Sequence, residues 1–361
     1  MPDILSLRAL NRATLDRQFL LGRHARPAEQ VIAHLGGMQA QAPLAPYTGL
    51  WSRLVNFRPE ELSKALSEDR KVVRGHLQRS TVHLVTAQDY LDFRPLFVHL
   101  SSRSARTNFT AGLAGADPDD VVAQARVVLS GSALTRAELG RLLAGKWPDA
   151  DPGALAYIGG SGLPTIQVPP RGVWGENGPA RFALAEDWLG RPVPGQPEPA
   201  AVERVVLRGI GAFGPMTVAD LQQWSGLTRL REITERLAGQ LRGFRGEDGA
   251  ELLDLPDAPR PDPDTPAPPR FLPEYDNLLL SHADRSRVIP HTRPVPLPAG
   301  NGSTQGTVLV DGRWQGTWRI ASGVMTIEAF VPLPDEVVAE GARLAEFTGA
   351  AAGDVRLISR Y

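Results

Sequence analysis

The chain has 361 residues, of which 42% are hydrophobic and 22% charged, and its formal net charge is −1. This length and composition predict an ordinary globular protein with two or three hydrophobic cores. The chain contains no cysteine, which excludes disulfides, thiolate catalysis and cysteine-ligated zinc.

The sequence shows no targeting or membrane segment. No apolar run reaches the roughly 18 residues that a membrane span requires. Charged residues also interrupt the apolar positions of residues 1–24, unlike the apolar stretch of a signal peptide. We therefore expect a cytoplasmic protein with no membrane partner.

The charges are unevenly distributed along the chain. Residues 1–110 hold fifteen Lys and Arg against nine Asp and Glu, so this part carries +6 and the rest carries −7. Only three of the 39 basic residues are lysine, and the arginine guanidinium suits phosphate recognition. A GC-rich genome also raises the arginine content, so the excess is modest support for an anionic partner.

Residues 1–110 follow the order of a winged helix. Apolar periodicity predicts helices over residues 7–21, 29–35, 47–55 and 59–66. Two β-type runs follow, over residues 71–77 and 80–86. Helices followed by a two-stranded wing are typical of the winged helix-turn-helix fold, which most often binds a nucleic acid.

The same plan returns twice further along the chain. A helix over 119–129, a capping box at Thr135 and Glu138, and strands over 166–170 and 181–184 form a second unit. A helix over 201–209, a second capping box at Thr217 and a helix over 230–241 form a third. Proline-rich linkers cover residues 191–199 and 256–270.

The last part of the chain is mainly β. Strands are predicted over 278–280, 287–289, 307–310, 313–320 and 324–331, then a helix over 335–347 and a strand over 355–359. The dipeptide Asp311-Gly312 is a strong hairpin signal. We therefore predict an α+β fold with three tandem winged-helix units on a β-barrel-like C-terminal scaffold. The predicted domains are residues 1–110, 111–192, 198–255 and 270–361.

The stretch Gln39-Ala40-Gln41 places two carboxamides directly after a helix that ends at Gly36-Gly37. An amide donates and accepts hydrogen bonds but barely takes a proton, so it orients water or a base edge and does little acid-base work. Such a pair suits a reaction whose leaving group is already activated. An isolated Gln-x-Gln is more often solvated surface, so the interpretation depends on its context.

Four motifs in order supply that context. They are Gln39-Ala40-Gln41, Thr81-Val82-His83-Leu84, residues 271–280 with Asp284-Arg285, and residues 310–318. The arrangement resembles the bacterial winged-helix DNA glycosylases of the AlkZ and YcaQ type, over most of the chain. The second motif glutamine, where the YcaQ branch carries aspartate, makes this chain more similar to AlkZ.

The resemblance implies hydrolysis of the N-glycosidic bond of bulky N7-alkylated guanine in double-stranded DNA, including the unhooking of interstrand crosslinks. It also implies either self-resistance to a DNA-alkylating natural product or general repair. Gln39 and Gln41 are the candidate catalytic residues, supported by His83 and Thr81. No cofactor is expected. No histidine pair has metal-ligand spacing and cysteine is absent, so no metal site is expected either.

The candidate DNA contacts are the residues Arg53, Arg74, Arg79, Arg313 and Trp314. Simple solvation of the arginines and a core position for Trp314 are the alternatives. A hairpin that presses into the duplex could come from Asp311-Gly312 or from residues 281–291. The sequence shows no long dimerisation helix, so we expect a monomer.

Two other functions remain open at this stage. A non-catalytic winged-helix regulator or damage sensor would share the helix-turn-helix units, although regulators usually add a dimerisation or ligand domain. An enzyme acting on a small-molecule glycoside would require paired carboxylates, which the glutamine stretch lacks.

Overall fold

A computed structural model describes residues 3–290, 305–350 and 355–360. The helices of the first half are α1 (Leu7–Arg17), α2 (Ala28–His34), α3 (Ala45–Trp51), α4 (Pro59–Ser67), α5 (Ala87–Phe109), α6 (Pro118–Leu129), α7 (Arg136–Ala144) and α8 (Pro152–Ser161). The later helices are α9 (Ala185–Leu189), α10 (Ala201–Phe213), α11 (Val218–Ser225), α12 (Leu230–Arg236) and α13 (Asp335–Phe347).

The strands form three sheets. The strands before residue 260 are β1 (Ile4–Leu5), β2 (Met38–Gln39), β3 (Val72–His76), β4 (Val82–Thr86), β5 (Leu134–Thr135), β6 (Thr165–Val168), β7 (Arg181–Leu184), β8 (Arg242–Gly246) and β9 (Glu251–Asp254). The later strands are β10 (Arg270–Leu272), β11 (Gly306–Val310), β12 (Arg313–Ala321), β13 (Val324–Ala329) and β14 (Val355–Ser359).

The two predicted wings of the first and second units belong to one six-stranded sheet, in the order β2-β4-β3-β6-β7-β5. The wings join where Arg74 and Gly75 of β3 pair with Gln167 and Ile166 of β6. Gly75 is required at this junction, because an added Cβ would lie 2.3 Å from the Tyr90 ring. The sheet therefore crosses the predicted domain boundary at residue 110.

Helix α5 is 23 residues long and was missed by the sequence analysis. It begins where the Thr86 side chain accepts a hydrogen bond from the Asp89 amide. Tyr90, Phe93 and Phe97 recur at helical spacing on its buried face. Pro95 lies inside the helix, and such an internal proline weakens the sequence signal for a helix.

The third unit is completed by the start of the chain. Strand β1 pairs in parallel with β8, with Ile4 opposite Arg245, and β8 pairs with β9. Both predicted capping boxes are present, at Thr135 and at Thr217. A buried ion pair between Arg17 and Asp254 fastens α1 to this unit. The strands of the first two predicted wings therefore lie in one sheet, so the sequence pattern predicts the helices better than the sheets.

The C-terminal sheet is open in the part of the chain that the structure describes. Its order is β10-β11-β12-β13-β14, with β10 and β14 at the edges, so the predicted barrel is not formed by these strands. The Asp311-Gly312 hairpin between β11 and β12 is confirmed. Two predicted strands are wrong, because Asn277–Leu279 forms a 3-10 turn and residues 287–289 lie in irregular buried chain. Short apolar runs do not distinguish a strand from other buried chain.

Among the described residues, no helix is long and apolar enough to cross a bilayer.

Candidate active site

The two short motifs of the sequence lie side by side in the sheet. The chain turns from α2 into β2 through Gly36 and Gly37, whose φ angles are 66° and 98°, a region that favours glycine. In β2, Gln39 is the register partner of His83 in β4. The structure therefore brings the glutamine motif and the threonine-histidine motif together.

Arg79 is the centre of the hydrogen-bond network around this pair. Its Nη2 donates to Gln39 Oε1 and to Asn277 Oδ1, both at 2.8 Å, and lies 3.5 Å from His83 Nε2. Its Nη1 donates to the Trp224 carbonyl oxygen. Arg79 lies in the 3-10 turn Gln78–Ser80 with φ 53°. The turn thus directs the guanidinium inward, where it joins the first unit, the third unit and the C-terminal part.

This network sets the orientation of both glutamine amides. A guanidinium only donates hydrogen bonds, so the oxygen of the Gln39 amide must face Arg79. The Gln39 Nε2 then points to Gln41 and donates to Gln41 Oε1. As a result, the amide nitrogen of Gln41 and one acceptor position of Gln41 Oε1 have no partner among the residues that the structure describes. Gln39 is only 7% exposed, whereas Gln41 is exposed, so Gln41 is the member of the pair that faces solvent.

His83 is a neutral hydrogen-bonding group in this structure. Burial, and then the positive charge of Arg79, lower its pKa to about 3. The ring is fully buried, and its Nδ1 donates to the Thr81 carbonyl oxygen at 3.1 Å. Its Nε2 is left as an acceptor beside Arg79. His83 therefore supports Arg79 and does not supply a proton near neutral pH.

Thr81 holds the other side of the histidine. Its hydroxyl lies 3.4 Å from His83 Nδ1 and donates to the Gln78 carbonyl oxygen at 3.2 Å. The Gln78 side chain in turn donates to the Gly36 carbonyl oxygen at 2.7 Å. These bonds tie the turn that carries Arg79 to the turn that leads into Gln39.

The side chain of Arg74 holds the backbone of the loop around Gln41 in place. It is buried, and it donates to the Ala40 carbonyl oxygen at 2.9 Å and the Pro43 carbonyl oxygen at 3.2 Å. Burial lowers its pKa to about 10, so it stays charged near neutral pH. Arg74 therefore stabilises the backbone on both sides of Gln41.

A carboxylate that lines the same small cavity as Gln39 is already paired. Asp276 lines a cavity of about 10 Å³ behind Gln39, but both of its oxygens accept hydrogen bonds from Arg53, at 3.0 Å each. No group of three His, Cys, Asp or Glu among the described residues could hold a metal ion. The described site consists of amides, a neutral histidine and buried guanidinium groups.

Several sequence-predicted DNA contacts lie inside the protein. Arg53 and Arg74 are buried, and so is Trp314, whose Nε1 donates to the Gly316 carbonyl oxygen at 2.8 Å. These positions do not fit the expected DNA contacts of the three residues, because the residues are buried and the arginine Nη groups and the indole nitrogen are bonded within the fold. Arg79 is partly buried in the network described above, and Arg313 is partly exposed at the start of β12.

The Asp311-Gly312 hairpin is also anchored within the protein. Asn11 donates to the Gly312 carbonyl oxygen at 2.9 Å, and Arg8 pairs with Asp311 at 2.7 Å. The hairpin tip therefore packs on α1, which does not fit its insertion into a duplex. In the other candidate segment, Ala283 and Asp284 are exposed, and His291 lies outside the described residues.

Sequence reasoning missed the roles of Arg79 and Asn277 within the site. Arg79 was expected to contact DNA, and Asn277 was only part of a longer motif. Asn277 donates to the Gly37 carbonyl oxygen at 3.3 Å while it accepts from Arg79. The sequence signal for Asn277 was its position, with Asp276, directly before an apolar run. Polar residues at such a position are often buried, and buried polar residues need hydrogen-bond partners.

Comparison with known proteins gives a consistent result. Residues 32–352 match the sequence model of the family described as DNA glycosylase AlkZ-like. Among solved structures, the Streptomyces sahachiroi DNA glycosylase AlkZ aligns with a TM-score of 0.79 and 20% sequence identity, covering 98% of this chain and 100% of that chain. At this identity the structural likeness shows a shared fold. Among curated proteins, none matches the sequence significantly.

Proposed function

Because this chain belongs to the AlkZ-like DNA glycosylase family, we propose that it removes bulky N7-alkylated guanine from double-stranded DNA and unhooks interstrand crosslinks. The reaction is hydrolysis of the N-glycosidic bond, carried out by a monomer without a cofactor. The proposal includes self-resistance to a DNA-alkylating natural product as the biological role.

One observation carries this proposal: the relay from Arg79 through Gln39 to Gln41 ends in an exposed, oriented amide with no general acid in the network. Alkylation at N7 makes the base cationic, so it leaves as a neutral molecule and needs no proton. A site made of amides suits this leaving group, because it has to position water and the sugar and does not have to supply a proton.

Gln41 is the residue that we expect to hold the water. Its Oε1 accepts from Gln39 and keeps one acceptor position for a water proton, while its Nε2 stays free to donate. The water then adds to C1′ as the bond to the base breaks, and its proton passes to solvent. Gln39 holds Gln41 in place, and His83 and Thr81 hold Arg79.

The exposed position of Gln41 also supports the proposal that the substrates carry bulky adducts. The cavity that Gln39 lines in the described structure has a volume of about 10 Å³, which is too small to enclose a base. A flipped base normally enters a closely fitting pocket. We therefore place the reaction at the surface, where a crosslinked or bulky adduct does not have to enter a closed pocket. Arg313 remains a candidate DNA contact.

The proposal is tested by incubating the protein with duplex DNA that carries 7-methylguanine or a nitrogen-mustard crosslink. We expect free alkylated base and heat-labile abasic sites from both substrates, and separation of the crosslinked strands. Binding without base release would instead support a regulator or damage sensor. Release from 7-methylguanine alone would restrict the substrate to small adducts.

A further inference from the structure

A large groove begins at the residue that follows Gln41. Its volume is about 950 Å³, within the range of small-molecule sites. It lies between the start of α3, the segment 171–178 and strand β12, and it is lined by Ala42, Pro43, Leu44, Ala45, Trp174 and Ile320, among others. The groove is therefore largely apolar and adjoins the proposed reaction centre.

The walls of this groove are fixed by internal hydrogen bonds. The Tyr47 hydroxyl donates to the Gly172 carbonyl oxygen at 2.9 Å, and the Trp174 amide donates to Ser63 Oγ at 3.1 Å. On the other side, Trp318 Nε1 donates to the Leu272 carbonyl oxygen at 2.9 Å. The groove is thus preformed, as small-molecule sites usually are.

The groove contains one unusual charged group, Glu274. Its side chain is partly buried after β10, and burial raises the pKa of its carboxyl. Arg171 and Arg319 line the same groove, but within residues 3–290, 305–350 and 355–360 no cation lies within 4 Å of Glu274. A desolvated carboxylate without a counterion is unfavourable, and a cation that enters the groove would relieve this.

We propose that this groove receives the alkyl substituent of the adduct, and that Glu274 selects substituents carrying a protonated amine. This inference rests on the proposed function, because it assumes that the N-glycosidic bond lies at Gln41. The apolar walls contact the carbon chain of the substituent, and the Glu274 carboxylate pairs with its ammonium group. A carboxylate at this position disfavours the alternative occupant, a phosphate of the DNA backbone.

The test compares a butyl and an aminopropyl substituent, which are equal in size, and uses a methyl group as the small reference. Three duplexes of one sequence carry 7-methylguanine, guanine with a butyl chain at N7, and guanine with an aminopropyl chain at N7. The release of each base is measured under single-turnover conditions for the wild type, Glu274→Gln and Glu176→Gln. Glu176 is the matched control, because it lines the same groove but is exposed.

The wild type should release the aminopropyl base about tenfold faster than the butyl base, the effect expected of a charge-assisted hydrogen bond. Glu274→Gln should abolish this ratio and leave release of 7-methylguanine within twofold, while Glu176→Gln should preserve the ratio. An unchanged ratio in Glu274→Gln, or an equal loss on all three substrates, would overturn the selectivity of Glu274. Failure of the wild type to release any of the three bases would overturn the proposed function itself.

A second variant tests the groove without touching Glu274. Ile320→Trp should fill part of the groove, slowing release of the butyl and aminopropyl bases at least fivefold while sparing 7-methylguanine. Equal rates for the wild type and Ile320→Trp on all three substrates would show that the substituent does not enter the groove. Melting temperatures of both variants establish that they are folded.

Discussion

Two substitutions that add the same charge should have different effects on catalysis. Glu at position 39 still accepts a hydrogen bond from Arg79, but a carboxylate has no hydrogen to donate to Gln41 Oε1. Glu at position 41 still accepts from the Gln39 amide nitrogen. Gln39→Glu therefore breaks the relay from Arg79 to Gln41, whereas Gln41→Glu preserves it.

The size of the effect follows from the bonds that are lost. In the wild type, Gln39 Oε1 lies 2.8 Å from Arg79 Nη2, and its amide nitrogen donates to Gln41. The bond that Gln39→Glu removes joins two neutral amides, and such a hydrogen bond contributes about 0.5 to 1.5 kcal/mol. Without a donor at position 39, Gln41 must rotate to present its nitrogen inward, and its water-binding oxygen moves. If that energy is lost from the transition state, the rate falls about 2- to 12-fold.

The assay is single-turnover release of 7-methylguanine from duplex DNA, together with the melting temperature and DNA affinity of each variant. We expect Gln39→Glu to lose about 2- to 12-fold in rate with its DNA affinity within a few fold, because it keeps an ion pair with Arg79. Gln41→Glu should stay within about twofold of the wild type, because a carboxylate also accepts a water proton. Equal losses in the two variants, or full activity of Gln39→Glu, would refute the amide relay.

The other predictions concern the groups that hold this relay. Arg79→Lys should lower the rate of 7-methylguanine release at least tenfold, because one ammonium group cannot reach all the acceptors that the guanidinium reaches. Single-turnover kinetics would measure this loss. A wild-type rate in the variant would contradict the role of Arg79. Arg53→Met should lower the free energy of unfolding by about 3 to 5 kcal/mol, because it leaves the buried carboxylate of Asp276 without its cation. The DNA affinity of the folded variant should stay unchanged. Weaker DNA binding at full stability would instead show that Arg53 contacts DNA. The pKa of His83 is about 3 in the fold against 6.5 otherwise, so the unfolded state binds the extra proton below pH 6.5, and the free energy of unfolding falls as pH decreases from 6.5 toward 3. Urea titrations should show a contribution of up to about 1.4 kcal/mol per pH unit that is missing in His83→Gln, and identical slopes in both proteins would refute it.

Features that depend on neighbouring residues could be predicted from the sequence. Thr135 and Thr217 form the expected capping boxes, Asp311-Gly312 forms the expected hairpin, and the helix Asp335–Phe347 has the predicted bounds. Each is determined by contacts within a few residues. The four helices and two strands predicted between residues 7 and 86 were correct in type and order for the same reason.

Features that depend on distant partners could not be predicted. The pairing of Arg74 with Gln167 joins two wings into one sheet, and the partner of Arg53 is Asp276, 223 residues away. An arginine in a sequence does not show whether its counterion is a phosphate or a carboxylate elsewhere in the fold. This explains why buried structural arginines were interpreted as DNA contacts.

Part of the candidate site could be predicted from the sequence for a similar reason. The glutamine and histidine motifs could be selected because each is a short local pattern, and the structure places Gln39 opposite His83. The orientation of the amides could not be predicted, because it depends on Arg79 and Asn277 from different parts of the chain.

We propose that Gln39 and Gln41 catalyse release of N7-alkylated guanine. The most direct measurement compares the wild type with the variant in which both glutamines are alanine, on duplex DNA containing 7-methylguanine. We predict free 7-methylguanine from the wild type and none from the double variant, with DNA binding within a few fold. Undiminished base release by the double variant would contradict the claim.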